Sequence, residues 1–189
     1  MKKYFFLFLS VFSIDTFAQD KSFDIVLGSG WYSTPSRKPI SGGKFFNGEF
    51  EYHYKNRWSF SAGVIMTEYG FEDPESPSTI VSSGLRVSDG NEFQTNFLAK
   101  YKIYDSKYLT FQVGAGLGMI NMGTERHLIT PRSYSSIFTS ITDLGFPLSA
   151  ELYTKITKQI LIGVKLGSFI FPDYPIIGNN IGLQARFRL

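Results

Sequence analysis

Apolar residues recur at every second position along most of this chain, most regularly between Phe93 and Met119. Phe93, Thr95, Phe97, Ala99, Tyr101 and Ile103 alternate with Gln94, Asn96, Leu98, Lys100 and Lys102. After the polar turn Asp105-Ser106-Lys107, Leu109, Phe111, Val113, Ala115, Leu117 and Met119 alternate with Thr110, Gln112, Gly114, Gly116 and Gly118. A period of two marks a strand, whose side chains point alternately to opposite faces. The stretch predicts a β-hairpin with one apolar face and one face of polar residues and glycine. Each arm has about eleven residues, the length a tilted strand needs to cross a bilayer.

The same period predicts six more strands. Phe23, Ile25, Leu27 and Trp31 share a face, as do Phe46, Phe50, Tyr52 and Tyr54 in a strand over 44–54. Trp58, Phe60, Ala62, Val64 and Met66 mark a third strand. Phe138, Leu144, Phe146, Leu148, Ala150 and Leu152 mark a sixth over 137–153, with Pro147 predicting a bulge or a missing ladder bond. Ile160, Ile162, Val164, Leu166 and Ile170 mark the seventh. Ile181, Leu183, Ala185, Phe187 and Leu189 mark the eighth. The connections alternate long and short. Residues 33–43, 69–91, 121–135 and 172–179 read as long loops, with 79–87 able to extend the flanking strands. Residues 55–57, 105–107 and 157–159 read as tight turns. An even strand count with short turns on one side and long loops on the other is the rhythm of an outer-membrane barrel.

Composition narrows the choice. Among 189 residues, 17% are aromatic, 18 are Gly and none is Cys. That mix suits a β protein and excludes disulfides and thiolate zinc sites. The net charge of +3 gives no case for nucleic-acid binding. Met1-Lys2-Lys3, the apolar run Tyr4 to Ile14 and Thr16-Phe17-Ala18 predict a signal peptide over residues 1–18, cleaved after Ala18. The run is too short to span a membrane as a helix. The expected domains are therefore the signal peptide and a barrel over 19–189.

Alternation alone leaves open whether the apolar face meets lipid or a core. A soluble lipocalin-like barrel has the inverse arrangement. Charges, glycines and serines on the polar face suit a narrow lumen. Aromatics at the strand ends suit two membrane interfaces: Tyr52, Tyr54, Trp58, Tyr101, Tyr108 and Tyr153 near the turns, and Trp31, Phe46, Tyr69, Phe93, Phe138 and Phe171 near the loops. The fold class expected is all-β, an eight-stranded antiparallel up-and-down transmembrane barrel. With its signal segment, eight alternating strands and terminal strand, the chain resembles the small outer-membrane barrels of the OmpX, OmpA-barrel and opacity-protein type. The resemblance implies a bacterial outer-membrane location. It also implies that Ile181 to Leu189 is read by the barrel-assembly machinery, with Leu189 standing where that family usually ends in phenylalanine.

An inward charge needs a partner, since an unpaired one costs several kcal/mol. Asp24, Glu49, Glu51, Lys100, Lys102, Asp143, Glu151, Lys165, Arg186 and Arg188 are expected to form a lumen ion network. Asp24 should lie beside Arg186 or Arg188, because the eighth strand closes on the first. Gly28, Gly30, Gly114, Gly116, Gly118 and Gly167 leave two readings of the outer half: a water-filled vestibule, or glycines that merely ease curvature and packing.

Catalytic, cofactor and metal sites are not expected. Neither histidine has the serine spacing of a lipid A deacylase: His53 precedes Tyr54-Lys55, and His127 lies between Arg126 and Leu128, with Ser133, Ser135 and Ser136 in the same segment. Glu49, Glu51 and His53 share a face and read as part of a lumen hydrogen-bond network rather than a metal site. Glu72, Asp73 and Glu75 read as solvated loop acids. Arg37, Lys38, Arg126 and Arg132 form an external basic patch suited to lipopolysaccharide phosphates or another surface. The expected role is structural or surface-interacting, carried by external loops on a side-chain-filled barrel. The chain is expected to be monomeric, with outer-membrane lipids and lipopolysaccharide as its surroundings. A narrow solute channel is the second reading, and a lipid A-modifying enzyme the third.

Overall fold

Eight antiparallel strands close into a barrel in sequence order: β1 (Phe23–Ser33), β2 (Gly43–His53), β3 (Trp58–Glu72), β4 (Arg86–Asp105), β5 (Leu109–Thr130), β6 (Ser133–Lys155), β7 (Ile160–Ile170) and β8 (Ile177–Arg188). The computed structural model describes residues 22–33, 43–54, 57–72, 86–130, 133–172 and 177–189. The expected signal segment, residues 1–18, lies outside them.

The pairing register fixes the barrel's shape. A row of cross-strand partners starting at Ala150 passes through Leu166, Ile181, Trp31, Lys44, Glu68, Asn91 and Gly123. It returns to β6 at Ser140, ten residues from Ala150. A stagger of that size means the strands tilt strongly, about 35–45° in closed barrels. With only eight strands, the interior is just wide enough to be filled by side chains.

The apolar face is the outer one. Leu183 is 68% exposed, Leu117 66% and Phe97 61%, while Lys100 and Arg186 are 0% exposed. This band of exposed Leu, Ile, Val and Phe spans all eight strands, the arrangement that hydrocarbon rather than water selects. Three aromatics expected at the interfaces turn inward instead: Tyr69, Tyr153 and Phe171 are buried. Tyr153 lies two positions from the inward Glu151, so strand alternation overrides its place near a turn.

Two irregularities have local causes. Ile103 is an extra residue between the pairs Lys102↔Gln112 and Tyr104↔Phe111, a β-bulge that turns both Ile103 and Tyr104 outward. It also brings Asp105 opposite Thr110, whose hydroxyl donates to the Asp105 carboxylate at 2.7 Å. At Pro147, the β5–β6 ladder skips from Ala115↔Leu148 to Gly118↔Gly145 without changing register. The proline has no amide hydrogen to offer, so the missing ladder bond is the outcome, not a bulge.

The outer rim is uneven. β2 and β3 pair only as far as Gly43↔Tyr69, and β6 and β7 only as far as Phe146↔Ile170. β4, β5 and β6 continue, pairing out to Arg86↔Leu128 and Thr130↔Ser133. Residues 121–135, expected as a loop, are therefore mostly strand. β4 likewise begins seven positions before Phe93. Gly123, the turn signal in this stretch, instead receives the Asn91 side chain from the neighbouring strand. The result is a sheet of β4, β5 and β6 standing beyond the barrel, with β3 paired along β4 as far as Glu72↔Val87. Its β6 edge, Ser133–Gly145, has no partner strand on the β7 side among the described residues.

Candidate functional site

The lumen holds one ion cluster to which all eight strands contribute. Lys100 Nζ on β4 donates to Glu49, to Glu51 Oε2 at 2.9 Å and to Glu151 Oε1 at 2.8 Å. Arg186 on β8 donates to Glu51 Oε2 at 3.0 Å and to Glu151, with its guanidinium 4.3 Å from the centre of the Tyr153 ring. Lys165 on β7 donates to Glu49 Oε2 at 2.6 Å. Below them, Arg188 grips Asp24 on β1 with two bonds, 3.0 and 3.1 Å, and the Asp24 carboxylate also lies 2.9 Å from His53 Nε2. Ser59 Oγ on β3 and Gln112 Nε2 on β5 donate to Glu51 at 2.7 and 3.3 Å. Gln112 also reaches Glu151 at 3.0 Å and accepts from the Tyr153 hydroxyl at 3.2 Å.

Four carboxylates (Asp24, Glu49, Glu51, Glu151) thus meet four cations (Lys100, Lys165, Arg186, Arg188). Taking charges from water is costly, and the penalty is offset only where each finds close, well-directed partners. Here the multiple bonds to Lys100 and Arg186 meet that condition. The balanced charge of this cluster leaves little net field along the axis, and the crossing side chains close the half of the barrel nearer the short turns.

Two residues expected in this network stand outside it. Lys102 faces Asp105 at 4.0 Å on the rim that carries the short turns, where the Ile103 bulge has carried the carboxylate toward it. Asp143 is paired with Ile120, eight residues along β6 from Glu151, or roughly 26 Å of strand. Its carboxylate accepts the Leu144 amide at 2.7 Å. Of the external basic patch, Arg37, Lys38 and Arg132 lie outside the described residues. Arg126 sits on β5, paired with Ser88 and Ile137. His127 is set in register with Ser136 across the β5–β6 hairpin.

Above the ions, the outer half is filled rather than open. Tyr32, Phe45, Ile65 and Tyr69 form one buried cluster, and Ile120, Met122, Phe169 and Phe171 another. Of the two readings of the outer half, packed side chains rather than a water-filled vestibule are what the structure holds, and the glycines show why. A Cβ at Gly118 or Gly145 would run into Phe169, and one at Gly182 into Phe45. Lower down, Asn47, Asn96 and Asn180 each lie across the glycine paired with them, Gly28, Gly118 and Gly167. These glycines are the space that inward side chains occupy.

Glu92 is the lumen residue that strand counting missed, because it falls at the margin of the expected 69–91 loop. It is 3% exposed and accepts from the Tyr32 hydroxyl and, at 3.0 Å, from the Tyr69 hydroxyl. Its alternation with Gln94 and Asn96 was the available signal. Among the described residues, no group of three or more His, Asp or Glu is placed to hold a metal ion.

No protein-family model and no curated protein matches the sequence. Solved structures do. Neisserial surface protein A aligns with a TM-score of 0.61 at 14% identity, covering 87% of this chain and 96% of that one. A major outer membrane protein of Thermus thermophilus aligns at 0.59 and 11% identity, covering 89% and 99%. Ail, the attachment invasion locus protein of Yersinia pestis, in complex with the heparin analogue sucrose octasulfate, aligns at 0.58 and 15% identity, covering 89% and 99%. The fold is that of the small outer-membrane β-barrels. At these identities the likeness carries the architecture of a small barrel and nothing finer.

Proposed function

We propose that the protein is a bacterial outer-membrane barrel whose role is surface interaction, carried by the sheet that β4, β5 and β6 raise beyond the rim. The single observation behind this reading is the free β6 edge. Ser133–Gly145 offers thirteen residues of backbone with one strand partner instead of two. Ile137, Phe138 and Ile141 are 61%, 66% and 47% exposed, so both faces of the sheet stand in the open. Between 133 and 142 the edge has no Lys, Arg, Asp, Glu or Pro, the residues that ordinarily blunt such edges. The lumen serves as a structural plug. Export with cleavage after Ala18, assembly through Ile181–Leu189, and contact of the outer basic residues with lipopolysaccharide belong to the same reading.

The test shortens the sheet. Residues 123–140 are replaced by an Asn-Gly turn, which closes the hairpin near the rim. Cells carrying the intact and shortened barrels are compared for aggregation and for adherence to immobilised heparin. The shortened barrel should still migrate as a folded, heat-modifiable species but lose both behaviours. Equal aggregation and adherence by the two would overturn the proposal.

A further inference from the structure

On the lipid-facing wall, β6, β7, β8 and β1 leave a groove of about 550 Å³. Two rows of outward side chains cross it in register. One is Ala150, Leu166, Ile181 and Trp31; the other is Leu148, Ser168, Asn179 and Ser33. β1 and β7 ascend toward the outside while β6 and β8 descend, so the second row is the outer one on every strand. The inner row is apolar, and Ala150 supplies the hollow between longer neighbours. The outer row is polar on three strands, with Ser168 Oγ donating to Asn179 Oδ1 at 2.6 Å. The Asn179 carboxamide nitrogen and the Ser33 hydroxyl are further donors at that level.

The rows also climb around the barrel, since the stagger raises each partner from β6 toward β1. The groove therefore slants from Leu148 and Ala150, deep in the apolar band, to Ser33 and Trp31 near the outer rim. An outer-leaflet lipid has the same polarity, with its tail inward and its oxygen-rich linkage outward. A hollow facing hydrocarbon is filled at little cost by a chain that matches its shape, through many small dispersion contacts. Donors in so apolar a setting bind carbonyl oxygens more strongly than they would in water.

We propose that this groove is a binding site for one acyl chain of an outer-leaflet lipid, with the Asn179 carboxamide, held by Ser168, and the Ser33 hydroxyl donating to the carbonyls at the root of the chain. The inference rests on the outer-membrane reading. It goes beyond it by distinguishing one place on the wall from the general lipid annulus. Trp31, 72% exposed, forms the upper lip.

Trp31 and Trp58 are the only two tryptophans, and Trp58 begins β3 at the opposite end, which makes the test direct. The purified barrel in detergent is titrated with a phosphatidylcholine brominated at mid-chain. Trp31 is followed in a Trp58→Phe background, and Trp58 in a Trp31→Phe background. Trp31 should be quenched near one lipid per protein, at a midpoint about tenfold below that of Trp58, a difference of about 1.4 kcal/mol. Ala150→Phe fills the hollow with another apolar side chain on the lipid face and should remove the difference. The proposal is overturned if both tryptophans are quenched together, or if Ala150→Phe leaves the difference intact. It is also overturned if the early Trp31 signal tracks a dimer in light scattering, which would put a second copy in the groove. If neither tryptophan is quenched at saturating lipid, the membrane reading fails with it.

Discussion

Arg186 is wholly buried, yet it bonds Glu51 and Glu151 and stacks on Tyr153. Removing its charge strands carboxylates that have lost their water. Truncating one partner of such a buried set costs about 3–5 kcal/mol. Arg186→Ala should therefore lower unfolding stability in urea by that order. Lys158→Ala, at an exposed turn, should stay within about 0.5 kcal/mol. Equal midpoints for the two variants would contradict the plug. Glycines provide a second contrast. A Cβ at Gly116 would be driven into the Phe97 carbonyl of the adjoining strand, whereas one at Gly48 meets nothing closer than Leu27 at 4.0 Å. Gly116→Ala should lose about 1–3 kcal/mol by overpacking, and Gly48→Ala should be neutral in the same unfolding experiment.

The β6 edge sets its own test. Along an antiparallel strand, successive residues direct their backbone groups to opposite sides. Of Thr139 and Ser140, one therefore bonds β5 and the other faces the open side. Proline at the position that bonds β5 removes a ladder bond and should weaken the hairpin, lowering its melting temperature. Proline at the other should leave folding intact and diminish cell aggregation alone. Measuring melting and aggregation for both variants separates the two roles, and identical behaviour would argue against a functional edge. The eight strands were legible because a period of two survives over about ten residues whatever surrounds it. The length of β4, β5 and β6 was not. Gly123 and the polar run around Asn121 read as a loop, since a sheet free of the membrane no longer shows an apolar outer face. Within the lumen, alternation put Glu49, Glu51, Lys100, Glu151, Lys165 and Arg186 on one face, where their side chains meet. Height did not follow from it. Asp143 shares their face but sits a full apolar cluster away, and only the inter-strand stagger reveals that distance. Phe45, beside the outward Phe46, and Phe169, before Ile170, fill the outer half through glycines on neighbouring strands. Local pattern cannot show such pairings.

For the molecule as a whole, a lumen closed by a charge-balanced ion cluster and by packed side chains above it means the barrel should be electrically silent. In planar bilayers, purified protein should give no sustained, reproducible openings. Stable conductance steps would favour the narrow channel, the second reading, over the plug. Replacing Lys100 with Ala unties three carboxylates at once and should lower stability without creating a selective pore, because Phe45, Phe169 and their neighbours still obstruct the outer half. The molecule is divided along its axis: an ion cluster at the end of the short turns, a packed apolar interior above it, and a sheet projecting beyond the opposite rim.

The placement of the charges also bears on how the barrel is made. Two of the four cations, Arg186 and Arg188, arrive on the last strand, while the carboxylates they neutralise are on β1, β2 and β6. Until that strand zips onto the first, the half-built interior carries an anionic surplus of two, which hydrocarbon would refuse. Ring closure and electrical neutrality are thus a single event, and an open sheet carries that surplus until the seam is sealed.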